Sequence, residues 1–217
     1  MSNFDKPKFI TFEGGEGSGK STQSKMLHEY LLTKRIKNIH TREVGGTSEA
    51  ERIRNLLIRS ELLPLSELLL VMAARFEHLN KVIIPALRDG HWVICDRFID
   101  STAAYQSGES GLTVSEVYEL HKNLMKINAP QDSLEFSQEG LMPDLTFFMD
   151  IEPNIGLKRA QIRGNTNKFE AKNLDFHNKI HERFKFIASL YPNRIIELDC
   201  NNSSADEIHE MIIDRIF

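Results

Sequence analysis

Short apolar runs alternate with longer amphipathic segments along most of the chain. Runs rich in aromatic and β-branched residues, bounded by Gly, Pro or Asp, are typical of strands buried in a parallel sheet. A fifth predicted strand, 38–42, is more polar than the other four. The five predicted strands span 8–12, 38–42, 92–95, 145–149 and 194–198.

The segments between these strands carry apolar residues at the spacing of a helix face. Strands that alternate with helices favour a parallel sheet covered on both sides. We therefore predict an α/β fold with a five-stranded parallel sheet flanked by helices on both faces. Residues 128–142 have little periodicity and are predicted to be irregular. The predicted helices span 20–33, 48–58, 65–88, 113–126, 154–163, 175–191 and 205–216.

Length and composition describe a soluble globule. The 217 residues, with 41% hydrophobic and 27% charged positions, predict one domain over 1–217. The net charge of −4 argues against a nucleic-acid polymer or an anionic membrane as partner. The first residues lack the layout of a signal peptide, so we predict a cytoplasmic protein. Cys95 and Cys200 both lie in apolar runs and are predicted to be buried thiols.

A glycine-rich loop lies between the first predicted strand and the first predicted helix. Its spacing, Gly-x4-Gly-Lys-Ser, is that of a phosphate-binding P-loop. Glycines allow backbone N–H groups to point at phosphate oxygens, and the helix N-terminus adds its positive dipole end. Lys20 would reach the β- and γ-phosphates, and Ser21 would hold Mg²⁺. The predicted ATP-binding residues are Gly14, Gly15, Glu16, Gly17, Ser18, Gly19, Lys20, Ser21 and Thr22.

A P-loop alone fits a kinase, a GTPase switch or a motor ATPase. GTPases read guanine with Asn-Lys-x-Asp, and the Asn-Lys pairs at 80–81, 167–168 and 178–179 lack that aspartate. A motor ATPase would usually be larger than this chain or carry an obvious nucleic-acid-binding surface, and the sequence shows neither feature. The kinase interpretation is therefore preferred, with a nonenzymatic nucleotide-binding module as the alternative.

Two further clusters fit a phosphoryl-transfer site. Asp96 and Arg97 follow the strand 92–95, at the edge of a parallel sheet where ligands bind. Asp96 would bind magnesium-bound water, and Arg97 would bind a phosphate through two hydrogen bonds. The alternative is that these two residues form a surface ion pair without a functional role. Basic residues that include Arg159 and Arg163 precede a polar loop, as expected for a closing lid near 159–170. Cations at a helix C-terminus also satisfy the helix dipole, which is the alternative.

Several motifs, in order, resemble the thymidylate kinase family, whose members phosphorylate dTMP with ATP. The segment Thr-Arg-Glu-Val-Gly-Gly-Thr at 41–47 is similar to the family's Thr-Arg-Glu-Pro-Gly-Gly-Thr. The resemblance runs from about Phe9 to Phe217. The other matching segments are 9–14 with its P-loop, 73–75, 84–87, 95–98, 101–106, 143–146 and 156–160.

The resemblance implies roles around the acceptor's sugar and phosphate. Glu16 would contact the sugar 3′-hydroxyl, and Arg97 would hold the 5′-phosphate. Tyr105 would crowd the position of a ribose 2′-hydroxyl, while Glu43 and Arg54 would close this side of the site. Without the resemblance, Tyr105 could be a core residue and Arg54 a solvated helix charge.

The resemblance also implies a base pocket. Arg75 would bond the thymine carbonyl. Val71 stands where the family usually has a phenylalanine stacked on thymine, so Phe76 or another ring would have to compensate, or base selectivity would be looser. The remaining lining residues would be Ser101, Thr102 and Gln106.

The P-loop has no arginine between Gly14 and Lys20. This resembles the bacterial-type arrangement, in which the lid supplies the arginine that stabilises the transferring group. Arg159 and Arg163 are the candidates, and Arg163 is preferred because it lies nearer the loop. The family also implies Mg²⁺ with ATP, dTMP as acceptor, and a homodimer. A kinase for another nucleotide or a deoxynucleoside is the alternative enzyme.

Overall fold

All five predicted strands pair in one parallel sheet. The computed structural model describes residues 8–126, 140–164 and 168–217. The strand order is β2-β3-β1-β4-β5, which puts β1 at the centre. The predicted fold class is confirmed. The strands are β1 (Phe9–Glu13), β2 (Asn38–Arg42), β3 (Trp92–Asp96), β4 (Leu145–Asp150) and β5 (Ile195–Asp199).

The helices agree with the predicted segments to within a few residues, with one difference in the third. There a π-helical stretch, Leu79–Ile83, joins α3 to α4. Pro85 cannot donate a backbone hydrogen bond, and the wider turn lies directly before it. The helices are α1 (Lys20–Thr33), α2 (Ser48–Arg59), α3 (Pro64–His78), α4 (Ile84–Arg88), α5 (Ile99–Gln106), α6 (Val114–Met125), α7 (Pro153–Arg163), α8 (Leu174–Leu190) and α9 (Ala205–Ile216).

Each face of the sheet carries its own apolar core. Leu27 and Leu31 of α1 and Ile212 of α9 pack on one face, while α3, α5, α6 and α8 cover the other. Both cysteines are free and buried in these cores, as predicted. Among the described residues, no helix has the length and apolar character needed to cross a bilayer.

Helix α5 was not predicted. All eight of its residues are buried, so it shows no alternation of apolar and polar faces. A helix covered on every side gives no amphipathic period to detect.

Parts of two predicted segments lie outside the described residues. These are 128–139 of the irregular stretch 128–142, and 165–167 of the predicted lid near 159–170. The single domain over 1–217 and its lid near 159–170 stay predictions.

The parallel sheet determines where the site lies. Carboxyl ends of parallel strands meet at one edge, and ligands bind in the crevice beyond it. Glu13, Arg42, Asp96 and Asp150 end β1, β2, β3 and β4 there. The P-loop and the Asp96–Arg97 pair therefore emerge side by side, with β3 hydrogen-bonded to β1.

Candidate active site

The P-loop turns from β1 into α1 through backbone conformations that need glycine. Gly14 and Gly17 have positive φ values of 138° and 69°. A Cβ on Gly14 would lie 2.7 Å from the Met149 carbonyl oxygen, and one on Gly17 would collide with the carbonyl of Gly156 in α7. The loop thus lies against both the end of β4 and the start of α7.

Lys20 is folded back onto this loop. Its Nζ donates to the Gly15 carbonyl oxygen at 2.5 Å and to Ser18 Oγ at 3.1 Å. Burial and the charge of Arg97 lower the pKa of Lys20 to about 8, against the opposing pull of Glu16. An anion bound in the loop would restore the preference for the charged ammonium.

We call the open space beside the loop the phosphate cleft. It combines P-loop residues with cations from α2, the β3–α5 turn and α7. Its lining residues are Glu16, Gly17, Ser18, Gly19, Lys20, Ser21, Thr22, Arg42, Glu43, Arg54, Asp96, Arg97, Arg163 and Glu170.

Ser21 and Asp96 form an oxygen-donor pair at the floor of the cleft. Ser21 Oγ donates a short hydrogen bond to Asp96 Oδ2. Asp96 Oδ1 is buried and has no hydrogen-bond partner among the residues that the structure describes. Hydroxyl and carboxylate oxygens, one of them unsatisfied, fit the preference of Mg²⁺ for hard oxygen ligands.

Arg97 lies between the P-loop and a second pocket. Its Nη1 donates to the Gly14 carbonyl oxygen and to Ser101 Oγ, both at 3.0 Å, and its Nη2 donates to Glu16 Oε1 at 3.0 Å. The Tyr105 hydroxyl donates to the same Glu16 oxygen at 3.0 Å. Burial would raise the pKa of Glu16, but Arg97 and Lys20 outweigh it and hold that pKa at about 2. Glu16 is therefore a carboxylate at neutral pH.

A buried ion-pair network forms the far wall of the second pocket. Arg75, only 1% exposed, donates from Nε to Glu43 Oε2 at 2.7 Å and from Nη2 to Thr102 Oγ1 at 2.8 Å. His78 Nδ1 lies 3.0 Å from Glu43 Oε1. Burial alone would raise the pKa of Glu43, but Arg75 and His78 lower it below its ordinary value.

His78 was missed by sequence reasoning. It follows Arg75 by three residues in α3 and so lies on the same helix face. The three-residue spacing from Arg75 is the feature of the sequence that could have indicated His78 as a site residue.

We call the second space the arginine pocket. It brings together all nine predicted substrate-binding residues. Val71, the departure from the family pattern, also lines it, and so does the ring of Phe169, which packs edge-on against Tyr105 at 5.9 Å between centroids. Phe76 instead packs against the apolar core. The lining residues are Glu16, Glu43, Val44, Arg54, Leu57, Ile58, Val71, Arg75, Arg97, Phe98, Ser101, Thr102, Tyr105, Gln106 and Phe169.

The two predicted lid arginines lie in different surroundings. Arg163 lines the phosphate cleft and donates from Nη2 to Glu170 Oε1 at 2.7 Å. Arg159 donates to the carbonyl oxygens of Cys200 and Asn201, each at 3.0 Å. Arg159 therefore fastens the turn after β5, while Arg163 faces the P-loop.

A P-loop cleft that adjoins a pocket with three arginines, at the carboxyl edge of a parallel sheet, defines a P-loop phosphotransferase. A family model described as thymidylate kinase matches residues 12–212. The chain is 49% identical over 212 residues to a thymidylate kinase of Rickettsia canadensis (strain McKiel), covering 98% of both chains. It is 50% identical to one of Rickettsia africae (strain ESF-5), again with 98% of each covered.

A solved structure agrees. The crystal structure of thymidylate kinase from Ehrlichia chaffeensis superimposes with a TM-score of 0.74 at 33% identity, covering 98% of this chain and 99% of that one. The chain belongs to the thymidylate kinase family.

Proposed function

We propose that this protein transfers the γ-phosphoryl group of Mg-ATP to dTMP, giving dTDP and ADP. The observation that carries the proposal is that the phosphate cleft and the arginine pocket share a wall. Glu16, Glu43, Arg54 and Arg97 line both. A donor phosphate in the cleft and an acceptor phosphate held by Arg97 would therefore meet without an intervening layer of protein, as in-line transfer requires.

The donor nucleotide is held by the P-loop residues 14–22. Backbone N–H groups and the α1 N-terminus cradle the phosphates, and Lys20 exchanges its loop partners for phosphate oxygens. Ser21 and Asp96 would hold Mg²⁺, which when bound neutralises charge on the phosphate oxygens. The protein's own part is to align and shield the two anions.

The acceptor's phosphate and sugar lie at the shared wall. Arg97 offers its guanidinium to the 5′-phosphate. The Glu16 carboxylate, ionised at neutral pH, accepts from the 3′-hydroxyl, and Tyr105 fills the space beside it. Glu43 and Arg54 close the wall, since Arg54 Nη1 is held by the Val44 carbonyl oxygen at 3.0 Å.

The base lies deeper in the arginine pocket, against Arg75. Its remaining neighbours would be Ser101, Thr102 and Gln106, each of which is at most 8% exposed. Phe169 is our candidate for the aromatic face that Val71 does not supply. Aromatic contacts of this kind contribute about 0.5–1.5 kcal/mol.

Arg163 is the residue that we assign to the transferring phosphoryl group. It lines the phosphate cleft together with the P-loop, and its ion pair is with Glu170, which lines the same cleft. Arg159 holds the turn that follows β5 and so acts through that turn.

A steady-state panel of dTMP, dUMP, dCMP and UMP with Mg-ATP tests the function. We expect dTMP to give the highest kcat/KM for ADP release. Efficient turnover of another monophosphate, with none of dTMP, would overturn the substrate assignment. Nucleotide binding without acceptor-dependent ADP release would support a nonenzymatic module.

Val71 favours one alternative, a kinase with looser base selectivity. The variant Val71→Phe restores the ring that the family usually carries. If this alternative holds, the variant should lower the KM for dTMP by about two- to tenfold, the equivalent of one aromatic contact. An unchanged KM, together with a loss of dTMP turnover in Phe169→Leu, would show that Phe169 already supplies the face.

We also propose a homodimer. Leucines on the outer surfaces of α2 and α3 support it, because Leu56, Leu65 and Leu69 are 44%, 48% and 51% exposed. Light scattering on the purified chain should give twice the 24.9 kDa chain mass, and a monomer at micromolar concentration would contradict it. The cytoplasmic localisation stays a prediction, which fractionation of cells would check.

A further inference from the structure

Glu13 is a fully buried carboxyl group at the end of β1, directly before the P-loop. Its Oε1 accepts from the Phe98 backbone N–H at 2.7 Å. Its Oε2 accepts a short hydrogen bond from Ser101 Oγ. Both of its oxygens thus hold groups that follow Arg97 in the chain.

The turn held in this way is strained. Arg97 has φ of 72°, one of two non-glycine residues with positive φ in the described part of the chain. Such a conformation costs free energy and persists only when its surroundings determine it. One fixed point is the Arg97 N–H, which donates to the Phe12 carbonyl oxygen at 3.0 Å. The other is Phe98, held by Glu13.

Glu13 also acts on the Arg97 side chain through Ser101. Ser101 Oγ accepts from Arg97 Nη1 at 3.0 Å while it donates to Glu13. The direction of the guanidinium in the arginine pocket therefore depends on a hydroxyl that Glu13 orients.

We propose that Glu13 is a positioning residue that holds Arg97 in the conformation that receives the acceptor's phosphate. This rests on the proposed function. Glu13 itself lines neither cleft, and it acts on the acceptor through Phe98 and Ser101. Glu13 directly precedes the P-loop and is hydrogen-bonded to residues that position Arg97. It therefore helps to keep the phosphate cleft and the arginine pocket in fixed relative positions.

The positioning is carried by the two hydrogen bonds of Glu13, to the Phe98 N–H and to Ser101 Oγ. Asp100 lies nearby and is paired with Arg194, whose Nη2 lies 2.7 Å from Asp100 Oδ1. Burial and the charge of Asp100 raise the pKa of Glu13 to about 8. The neutral carboxyl carries its proton on the oxygen that shares the short hydrogen bond with Ser101 Oγ. The amide nitrogen of a glutamine would donate at the same place, so a neutral side chain of the same shape suits this site.

The test compares Glu13→Gln with Glu13→Leu. Gln keeps an acceptor for the Phe98 N–H and a polar group for Ser101, whereas Leu keeps only the volume. We expect Glu13→Leu to raise the KM for dTMP at least about tenfold, the effect of about one buried hydrogen bond, with the KM for ATP changed less than twofold. For Glu13→Gln, the KM for dTMP and the KM for ATP should each stay within about threefold of the parent chain's values.

Thr11→Val is the matched control. Thr11 is also buried in β1, and its Oγ1 hydrogen-bonds to Thr146 Oγ1 at 2.7 Å, away from Arg97. It should lose thermal stability without a shift in the KM for dTMP. If Glu13→Leu behaves like Thr11→Val, Glu13 is a core residue and the proposal fails.

Two further outcomes would also overturn it. An equal rise in the KM for dTMP and the KM for ATP would show that Glu13 supports the P-loop as a whole. A rise in the KM for dTMP that is as large in Glu13→Gln as in Glu13→Leu would show that the negative charge is required. If the parent chain prefers another monophosphate, the proposed substrate is wrong, but the same comparison with that monophosphate still tests Glu13.

Discussion

The phosphate cleft and the arginine pocket adjoin each other but are built in different ways. Half of the residues that line the cleft form one run of consecutive residues, 16–22. The pocket takes its polar side chains from five parts of the chain, which are the P-loop, the segment that follows β2, helix α2, helix α3 and the β3–α5 region. A local loop therefore binds the donor, whereas the acceptor site exists only when distant segments are packed together.

Charge is also handled differently on the two sides. In the cleft, the buried Lys20 ammonium bonds to neutral oxygens of its own loop. In the pocket, Arg75 and Arg97 are each held by a carboxylate, Glu43 and Glu16, before any substrate arrives. A change at Lys20 should therefore affect catalysis far more than stability, whereas changes in the carboxylate–arginine pairs of the pocket should affect catalysis and stability together.

The largest effect is expected from Lys20→Ala. Removal of a preorganised cation from the transferring phosphates should lower kcat by about 10³-fold, or about 4 kcal/mol. The unfolding midpoint in urea should change little, because Lys20 forms no ion pair within the described residues.

Lys25→Ala is the control for Lys20. It lies in the same helix, and its side chain is 67% exposed. Its kcat should match the parent chain. A Lys20→Ala variant with near-normal turnover would contradict the role of the P-loop.

The same difference explains what could be predicted from the sequence. The P-loop, its flanking strand and helix, and the Asp96–Arg97 pair depend on local spacing and on parallel-sheet topology, and each was predicted. Apart from Arg97, the candidate substrate-binding residues came from the family resemblance, because no local pattern shows that Arg75 and Thr102 meet.

What the sequence could not show is set by tertiary packing. Helix α5 lacks a period because every residue is buried. The partners Glu170 and Phe169 follow a polar stretch without periodicity, so nothing local indicates which pocket each one lines. Similarly, Arg159 and Arg163 lie in the same helix, and only the packing of the fold places Arg163 at the phosphate cleft and Arg159 at the turn after β5.

Glu43→Gln tests the pocket side of the comparison. It leaves the Arg75 guanidinium, 1% exposed, without its carboxylate partner, and breaking a buried pair costs several kcal/mol. We expect about 3 kcal/mol lower unfolding free energy in urea, together with a raised KM for dTMP.

The control is Glu51→Gln. Glu51 pairs with Arg42 at 3.0 Å, with side chains 38% and 52% exposed, and such pairs contribute less than about 1 kcal/mol. Comparable losses in the two variants would show that burial does not distinguish the pocket network.

Arg163→Ala should lower kcat by about 30- to 100-fold, since it removes one charged donor from the phosphate cleft. Arg159→Ala is the matched comparison in the same helix. Because Arg159 bonds to the Cys200 and Asn201 carbonyls and lines neither the phosphate cleft nor the arginine pocket, its loss should lower kcat less than the loss of Arg163 does. The reverse pattern, measured by steady-state kinetics, would exchange the two assignments.

The smallest effect is expected at Asp150, which ends β4 beyond both clefts. Its carboxylate accepts from His181 Nε2 at 2.5 Å and from Lys185 Nζ at 2.8 Å. Burial would raise the pKa of Asp150, but these two partners outweigh it and lower that pKa from 3.8 to about 2.

Because the folded-state pKa of Asp150 is the lower one, its stabilisation is present above about pH 4 and is lost as the pH falls through about 2. Asp150→Asn should therefore lower the unfolding free energy by about 1 kcal/mol at pH 7, since Lys185 is partly screened by solvent. The difference from the parent chain should shrink steadily below pH 4, and kcat at pH 7 should stay unchanged. An equal difference at pH 3 and pH 7, measured by urea unfolding, would show that packing rather than charge stabilises this end of the sheet.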